Sequence, residues 1–372
     1  MKKSLIALVC ALATGAVYAA DVEVYGAVDA YLAVNNDDGN VSSALSSGGS
    51  TGNYFGFQGS EDLWDGTQAV FKLEAGFLVD DGTFAQSYAG NTDRLFHREA
   101  WVGLRSADFG QISFGRQYTP HFLTWAMTDA NGLSLGTAAG AFFYPSAAAT
   151  MGGDDPTLDD LVRRNNSVFY ASPNLAGFTL MAYGALGEHT KADGTQSNSQ
   201  GNVYNLALNY ANGPLFVMGS VLYQDLAQPS ENRKDQTADH AVYYELAGIY
   251  DFGFTKAAVQ LEYKDGNGTA ESPDIFVGQI GATTPCFGGR INTTLAYLHD
   301  YDKADADAYS FGIRYDYDFS KQTMAYVGFV ALINEDKSGR SIEAGPDSSN
   351  HFAVEALGND QQQFFVGLRH RF

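Results

Sequence analysis

The sequence predicts an all-β protein, a single antiparallel β-barrel of about sixteen strands that crosses a membrane. Three observations support this prediction. Segments of about ten residues alternate between apolar and polar positions, short turns alternate with long polar loops, and the chain ends inside a strand-like segment.

The alternation defines strands with one apolar face and one polar face. It runs through 22–32, 69–77 and 255–263, and it recurs over 204–210 and 309–317. About ten residues is the length that a tilted strand needs to cross a bilayer. In water, the apolar faces would have to stack into a sandwich, and the candidate strands are too numerous for one sandwich. The pattern therefore favours a barrel with its apolar face in lipid.

The connections between these segments fall into two length classes. Short turns are predicted at 211–214, 250–253 and 319–321. Alternating short turns and long loops are typical of bacterial outer-membrane barrels. Tyrosine and phenylalanine also concentrate near the strand ends, where aromatic girdles form, although β-propensity alone would favour these residues in strands. The long polar loops are predicted at 188–201, 224–239, 264–272 and 335–361.

The two ends of the chain have distinct patterns. A basic start, a short apolar core and the ending Val17-Tyr18-Ala19 predict a signal peptide at 1–19, cleaved after Ala19. The alternative, a membrane anchor, needs a longer apolar core. Residues 20–372 then form a single domain. Its last segment alternates up to Phe372, and we expect this strand to pair with the strand near Val24 so that no edge faces lipid.

Composition and motifs exclude several classes of function. The net charge of −21 becomes more negative when Lys2 and Lys3 leave with the signal peptide, which argues against nucleic acid as a partner. Cys286 alone remains, so no internal disulfide can form. No nucleophile elbow, phosphate loop or close pair of histidines is present, and the aspartates of 300–307 lack EF-hand spacing. We therefore expect no enzyme activity, cofactor or metal.

Motifs distributed along the whole mature chain resemble those of the general porins of Gram-negative bacteria, especially the β-proteobacterial branch. The resemblance implies an outer-membrane homotrimer of sixteen-stranded barrels in contact with lipid and lipopolysaccharide. Each barrel would pass small hydrophilic solutes and ions without energy. The matching segments are 21–26, 55–63 (FGFQGSEDL), 100–104, 109–118 (FGQISFGRQY), 164–173 (RNNSVFYASP), 317–321 and 366–372.

The longest connection, about 119–162, has a special meaning in this family. A loop of that length is normally functional or disordered, and the small apolar residues of 136–143 argue against a solvated tail. The resemblance implies that this third extracellular loop folds into the barrel and narrows it.

The resemblance also identifies candidate residues of the pore constriction. Arg98, Arg163 and Arg164 match basic positions of the wall, and Asp129 matches an acid of the loop. An arginine of a spanning strand would cost about 2–4 kcal/mol if it faced lipid near the midplane, which favours a lumen position for Arg98.

Two further positions carry roles in the family. Arg116 matches an arginine expected near the subunit interface, and Phe372 matches the C-terminal assembly signal. The chain departs from enteric members at Ala27 and Tyr54, where those members often have lysine and arginine, and it lacks their Pro-Glu-Phe-Gly-Gly loop tip. The constriction is therefore expected to be less basic or to use other residues. We expect the first five strands and the last to form the trimer face.

Two alternatives remain open. A substrate-specific channel would need a run of aromatic residues or a ladder of charges along the pore. The other alternative is an enzyme or adhesin on a smaller barrel, and the enzyme would need a Ser-His pair on the outer barrel surface or at its rim. The sign of the ion selectivity also stays open, because arginines favour anions whereas the net charge and the aspartates of 154–160 favour cations.

Overall fold

A computed structural model shows one closed antiparallel barrel of sixteen strands. It describes residues 21–85, 94–135, 142, 161–187, 189–190, 196–197, 201–225, 240–266, 272–343, 352 and 354–372. The predicted signal peptide at 1–19 lies outside the described residues, so its cleavage stays a prediction. Among the described residues, no helix is long and apolar enough to span a membrane.

The strands agree with the alternating segments of the sequence. They are β1 (Asp21–Asp37), β2 (Asn40–Ser47), β3 (Tyr54–Trp64), β4 (Thr67–Gly76), β5 (Glu99–Ser106), β6 (Gly110–Tyr118), β7 (Arg163–Ala171), β8 (Phe178–Ala185), β9 (His189–Thr190), β10 (Gln196–Ser197), β11 (Val203–Asn212), β12 (Leu215–Asp225), β13 (His240–Asp251), β14 (Lys256–Asp265), β15 (Ile275–Cys286), β16 (Gly289–Asp300), β17 (Ala308–Asp318), β18 (Thr323–Asn334) and β19 (Gln361–Arg371).

The barrel sheet contains seventeen strand segments, and each pairs with its neighbours. The count of sixteen strands follows because one strand is interrupted and appears as two segments. β2 and β3 pair with successive parts of β1, so together they occupy one place in the barrel. β9 and β10 form a separate two-stranded antiparallel sheet. The helix α1 (Pro120–Thr128) follows β6.

Along strands such as β14, apolar side chains face outward and polar side chains face inward. On β14, Val259 and Leu261 are exposed on the outside, whereas the alternating Gln260 and Glu262 are buried. Because a bilayer offers no hydrogen-bonding partner for polar groups, the apolar face of each strand of a barrel points toward lipid and the polar face points inward. Exposed aromatic rings near the strand ends, such as Phe252 and Phe319, are in the positions of an aromatic girdle.

The last strand closes the barrel, as predicted. β19 pairs with β1, and the final residue exchanges two backbone hydrogen bonds with Gly26, of 3.0 and 3.1 Å. Gly26 provides space for the terminal ring, because a Cβ at this position would lie 2.5 Å from a ring carbon of Phe372.

We predict that deletion of Phe372 destabilises the barrel. Loss of two backbone hydrogen bonds at about 0.5–1.5 kcal/mol each should lower the free energy of unfolding by about 1–3 kcal/mol. Urea unfolding in detergent micelles measures this effect, and Phe319→Ala, which removes an exposed ring from a turn, is the matched control. Equal stability of the deletion variant and the control would contradict the role of Phe372 in closure.

Candidate channel constriction

The helix α1 begins where β6 ends. Thr119 caps its N-terminus by accepting a hydrogen bond of 3.1 Å at Oγ1 from the backbone N–H of Phe122, and Pro120 occupies the first helical turn, where its missing N–H costs nothing. The N–H of Thr119 donates to the carbonyl of Val162, at 3.0 Å. The two ends of the long connection are therefore held side by side by the β6–β7 ladder.

Polar side chains of strands far along the chain bind α1. Asn205 of β11 accepts a hydrogen bond of 2.6 Å from the backbone N–H of His121. Gln260 of β14 donates from Nε2 to the carbonyl of Trp125 at 3.0 Å, and to Oγ1 of Thr128 at 2.7 Å. All of these residues are buried. The buried polar side chains of these strands thus supply hydrogen-bond partners for the helix.

Residues 129–135 continue along further strands. Thr283 of β15 donates from Oγ1 to the carbonyl of Ala130 at 2.8 Å, and Arg314 of β17 donates to Oγ of Ser134. The N–H of Leu135 then donates to the carbonyl of Gly49, in the connection between β2 and β3, at 3.0 Å. The segment 119–135 therefore makes hydrogen bonds to β11, β14, β15 and β17 and ends beside the connection between β2 and β3.

A cavity of about 470 Å³ separates this segment from the opposite strands. Leu123 and Leu133 line it from the segment, and β1 and β3–β7 line the other side. Six of its lining residues are aromatic. They are Tyr25, Tyr54, Trp101, Tyr118, Phe122 and Phe169.

Two cations and two carboxylates form a network on the strand side of the cavity. Nε of Arg98 lies 2.6 Å from Oε1 of Glu74, and Nζ of Lys72 lies 3.3 Å from Oε2 of the same carboxylate. Lys72 also pairs with Glu99. Tyr25 donates its hydroxyl to Glu74 at 2.6 Å. Each carboxylate is therefore compensated, and the network carries no net charge.

The cations of this network are more accessible than the carboxylates. The side chains of Lys72 and Arg98 are 23% and 12% exposed, whereas that of Glu74 is 4% exposed and that of Glu99 is 9% exposed. All four residues line the cavity, and the two basic side chains are its more exposed charged groups.

The predicted constriction residues do not all meet at this cavity. Arg98 lines it, with its guanidinium 4.9 Å from the ring centre of Tyr54, the residue noted as a departure from the family. Arg163 is buried, with its guanidinium 5.3 Å from the ring centre of Tyr118, and Arg164 donates to the carbonyl of Gly201. Asp129 is also buried. Of these four predicted residues, only Arg98 belongs to the described lining of the cavity.

Asp129 and Arg116 have partners within the chain. Oδ1 of Asp129 accepts a hydrogen bond of 2.7 Å from the backbone N–H of Asn131, in the turn that ends α1. Arg116 is buried, donating to the carbonyl of His97 and, at 2.9 Å, to Oδ1 of Asn165.

Sequence reasoning missed Lys72, Glu74 and Glu99 as site residues. Lys72 and Glu74 are among the alternating polar residues of the segment 69–77, and in a barrel such residues face inward. It also missed His121, whose partners Glu245 and Glu262 lie on β13 and β14, far away in the sequence.

The family of this chain follows from comparison with known proteins. A model of Gram-negative porins matches residues 4–337. The outer membrane porin protein 32 of Delftia acidovorans is 30% identical over 382 residues, which is all of both chains. The chain therefore belongs to the Gram-negative porin family, and it is an outer-membrane protein.

Solved structures agree with this assignment. The anion-selective porin from Comamonas acidovorans superimposes with a TM-score of 0.75 at 25% identity, covering 95% of this chain and 100% of that one. The trimer form of OmpT from Vibrio cholerae has the same fold, with a TM-score of 0.65 at 17% identity, covering 95% of this chain and 100% of the other.

Proposed function

We propose that this porin is a general diffusion channel whose narrowest part lies between the segment 119–135 and the wall formed by Lys72 of β4 and Arg98, which precedes β5. The carrying observation is the cavity between these two surfaces, which is lined by both. A sixteen-strand barrel encloses an aqueous channel, and a segment bound along one side of it reduces the free width. The channel needs neither cofactor nor energy source, and the fold and family favour a channel over an enzyme.

We further propose a weak preference for anions. Lys72 and Arg98 are more exposed than Glu74 and Glu99, so a passing ion meets the positive groups first. The net charge of −21 includes many residues far from this point, and their effect falls off within a Debye length of about 8 Å. The similar porin from Comamonas acidovorans is anion-selective, which supports the same sign of preference here.

A homotrimer is the assembly that we propose, with lipid and lipopolysaccharide around it. The trimer form of OmpT, which shares the fold, supports the idea. The proposed contact face comprises the first five strands and the last, where Val22, Val24 and Leu368 point outward and are exposed. Arg116 remains our candidate for a residue near this interface.

Reconstitution tests the channel and the trimer together. We expect the purified protein to open in planar bilayers in groups of three equal conductance steps, because each barrel has its own pore. Heat-denatured protein is the control and should give no steps. Absence of conductance from folded protein would contradict the channel, and single independent steps would contradict the trimer.

A second candidate function, a substrate-specific channel, is favoured by one observation. Six aromatic side chains line the cavity, and a run of aromatics along the pore is what such a channel needs. Aromatic faces bind apolar rings and cations, so an aromatic or sugar-like solute would dwell there. Saturable block of the ion current by one solute class would favour this candidate, whereas equal passage of solutes of similar size would favour general diffusion.

A further inference from the structure

A buried cluster outside the cavity joins α1 to the barrel wall. It consists of His121 of α1, Glu245 of β13 and Glu262 of β14. Nδ1 of the imidazole lies 2.8 Å from Oε2 of Glu245, and Nε2 lies 3.3 Å from Oε2 of Glu262. One ligand atom from each residue lies within 4.8 Å of the others. Three separate elements of the chain thus bring potential ligand atoms together in one small buried space.

The cluster carries an electrostatic cost that its own hydrogen bonds do not remove. The side chains of His121 and Glu245 are 0% and 1% exposed. Within the described part of the chain, no hydrogen bond of ordinary geometry reaches either ring nitrogen of His121. Two buried carboxylates facing a neutral imidazole would repel each other, and buried charge is costly unless it is paired or bound to a metal.

We propose that His121, Glu245 and Glu262 bind a divalent transition-metal ion of the zinc class. One imidazole nitrogen and two carboxylate oxygens are ligands that this class accepts, often with water as a fourth ligand. A dication held by these three residues neutralises both carboxylates and gives a ring nitrogen of His121 a partner.

The surroundings of the cluster favour a fixed geometry. The indole of Trp125 lies edge-on to the imidazole, with ring centres 4.3 Å apart, and the ring of Tyr243 lies 5.5 Å away. These rings restrict the rotation of His121. The bound ion would connect α1 to the adjacent strands β13 and β14. The metal site depends on the cluster alone, whereas any effect of the ion on conductance rests on the proposed constriction.

Metal binding to the folded protein tests the proposal without reference to conductance. After removal of metal with EDTA, the detergent-solubilised protein should bind one Co²⁺ or Zn²⁺ per chain, and Co²⁺ should show the visible absorption of a four- or five-coordinate site. His121→Ala should weaken binding by at least about tenfold, and so should the isosteric Glu245→Gln and Glu262→Gln variants. Heat-modifiable migration in gels verifies that each variant is folded.

The matched control is His299→Ala. His299 also lies 2.9 Å from a carboxylate, that of Asp307, but it has no second acidic partner among the described residues. It should bind the metal like the wild type. No saturable binding up to millimolar metal, or binding unchanged in folded His121→Ala, would overturn the proposal and leave a proton-sharing cluster. A protein that conducts without binding metal refutes this site alone, whereas one that binds metal without conducting refutes the proposed function alone.

Discussion

Replacing Lys72 and Arg98 together by alanine should turn the weak anion preference into a preference for cations. The substitution leaves Glu74 and Glu99 without the bases that now shield them, so the cavity would present negative charge. A unit charge about 6 Å from a passing ion contributes about 0.7 kcal/mol in water, a factor of about three in local ion concentration. We therefore expect the anion-to-cation permeability ratio to fall at least about threefold at low salt.

The reversal potential across a salt gradient measures this change. Lys256→Ala is the matched control, because Lys256 forms an ion pair with Asp251 at an exposed turn instead of at the cavity. Arg98→Ala alone should shift the potential in the same direction by less. A reversal potential that stays at the wild-type value in the double variant would contradict the assignment of these residues to the constriction.

Excision of residues 120–161 should widen the channel. Because Thr119 and Val162 are hydrogen-bonded, a short glycine-containing turn can join them without moving β6 or β7. The shortened protein should still form the barrel, since the strand pairings do not involve the excised residues. We expect the single-channel conductance to increase to about twice its value or more, because the proposed narrowing segment is gone.

An equivalent excision elsewhere provides the control. Asp225 and His240 pair at the ends of β12 and β13, so residues 226–239 can be replaced by a short turn in the same way. That variant should conduct like the wild type. If excision of 120–161 leaves the conductance unchanged while gel migration shows a folded barrel, the segment does not form the constriction.

The barrel could be predicted from the sequence because its physical cause is local. Lipid outside and water inside impose a two-residue period on every strand, and this period is visible in segments such as 255–263. The closure by the strand of Phe372 was predictable for a related reason, since both edges of every strand in lipid need a hydrogen-bonding partner. The interruption between β2 and β3 was not predictable, because both parts retain a strand-like pattern.

The site was less accessible to sequence reasoning because its contacts join distant strands. Arg98 was a candidate because the sequence placed it on a spanning strand, where a charge has to avoid lipid. The structure places it in the bend immediately before β5 (Glu99–Ser106). Its partner Glu74 and the neighbouring Lys72 belong to another strand, and only the pairing of β4 with β5 brings these groups together. Asp129 carries the expected charge, yet the end of α1 places its carboxylate against the backbone of Asn131. These contacts depend on the path of the connection that follows β6, and a path of this kind leaves no periodic pattern in the sequence.

A charge attached at Leu123 tests the proposed constriction most directly. Leu123 lines the cavity from α1, and a Cys286→Ser background removes the free thiol of the described chain. Cationic and anionic thiol reagents on Leu123→Cys should both lower the single-channel conductance. The cationic reagent should strengthen the anion preference, and the anionic one should shift the channel toward cations. Complete labelling, verified by mass spectrometry, with no change in conductance or reversal potential would contradict a pore that passes between α1 and the side chains of Lys72 and Arg98.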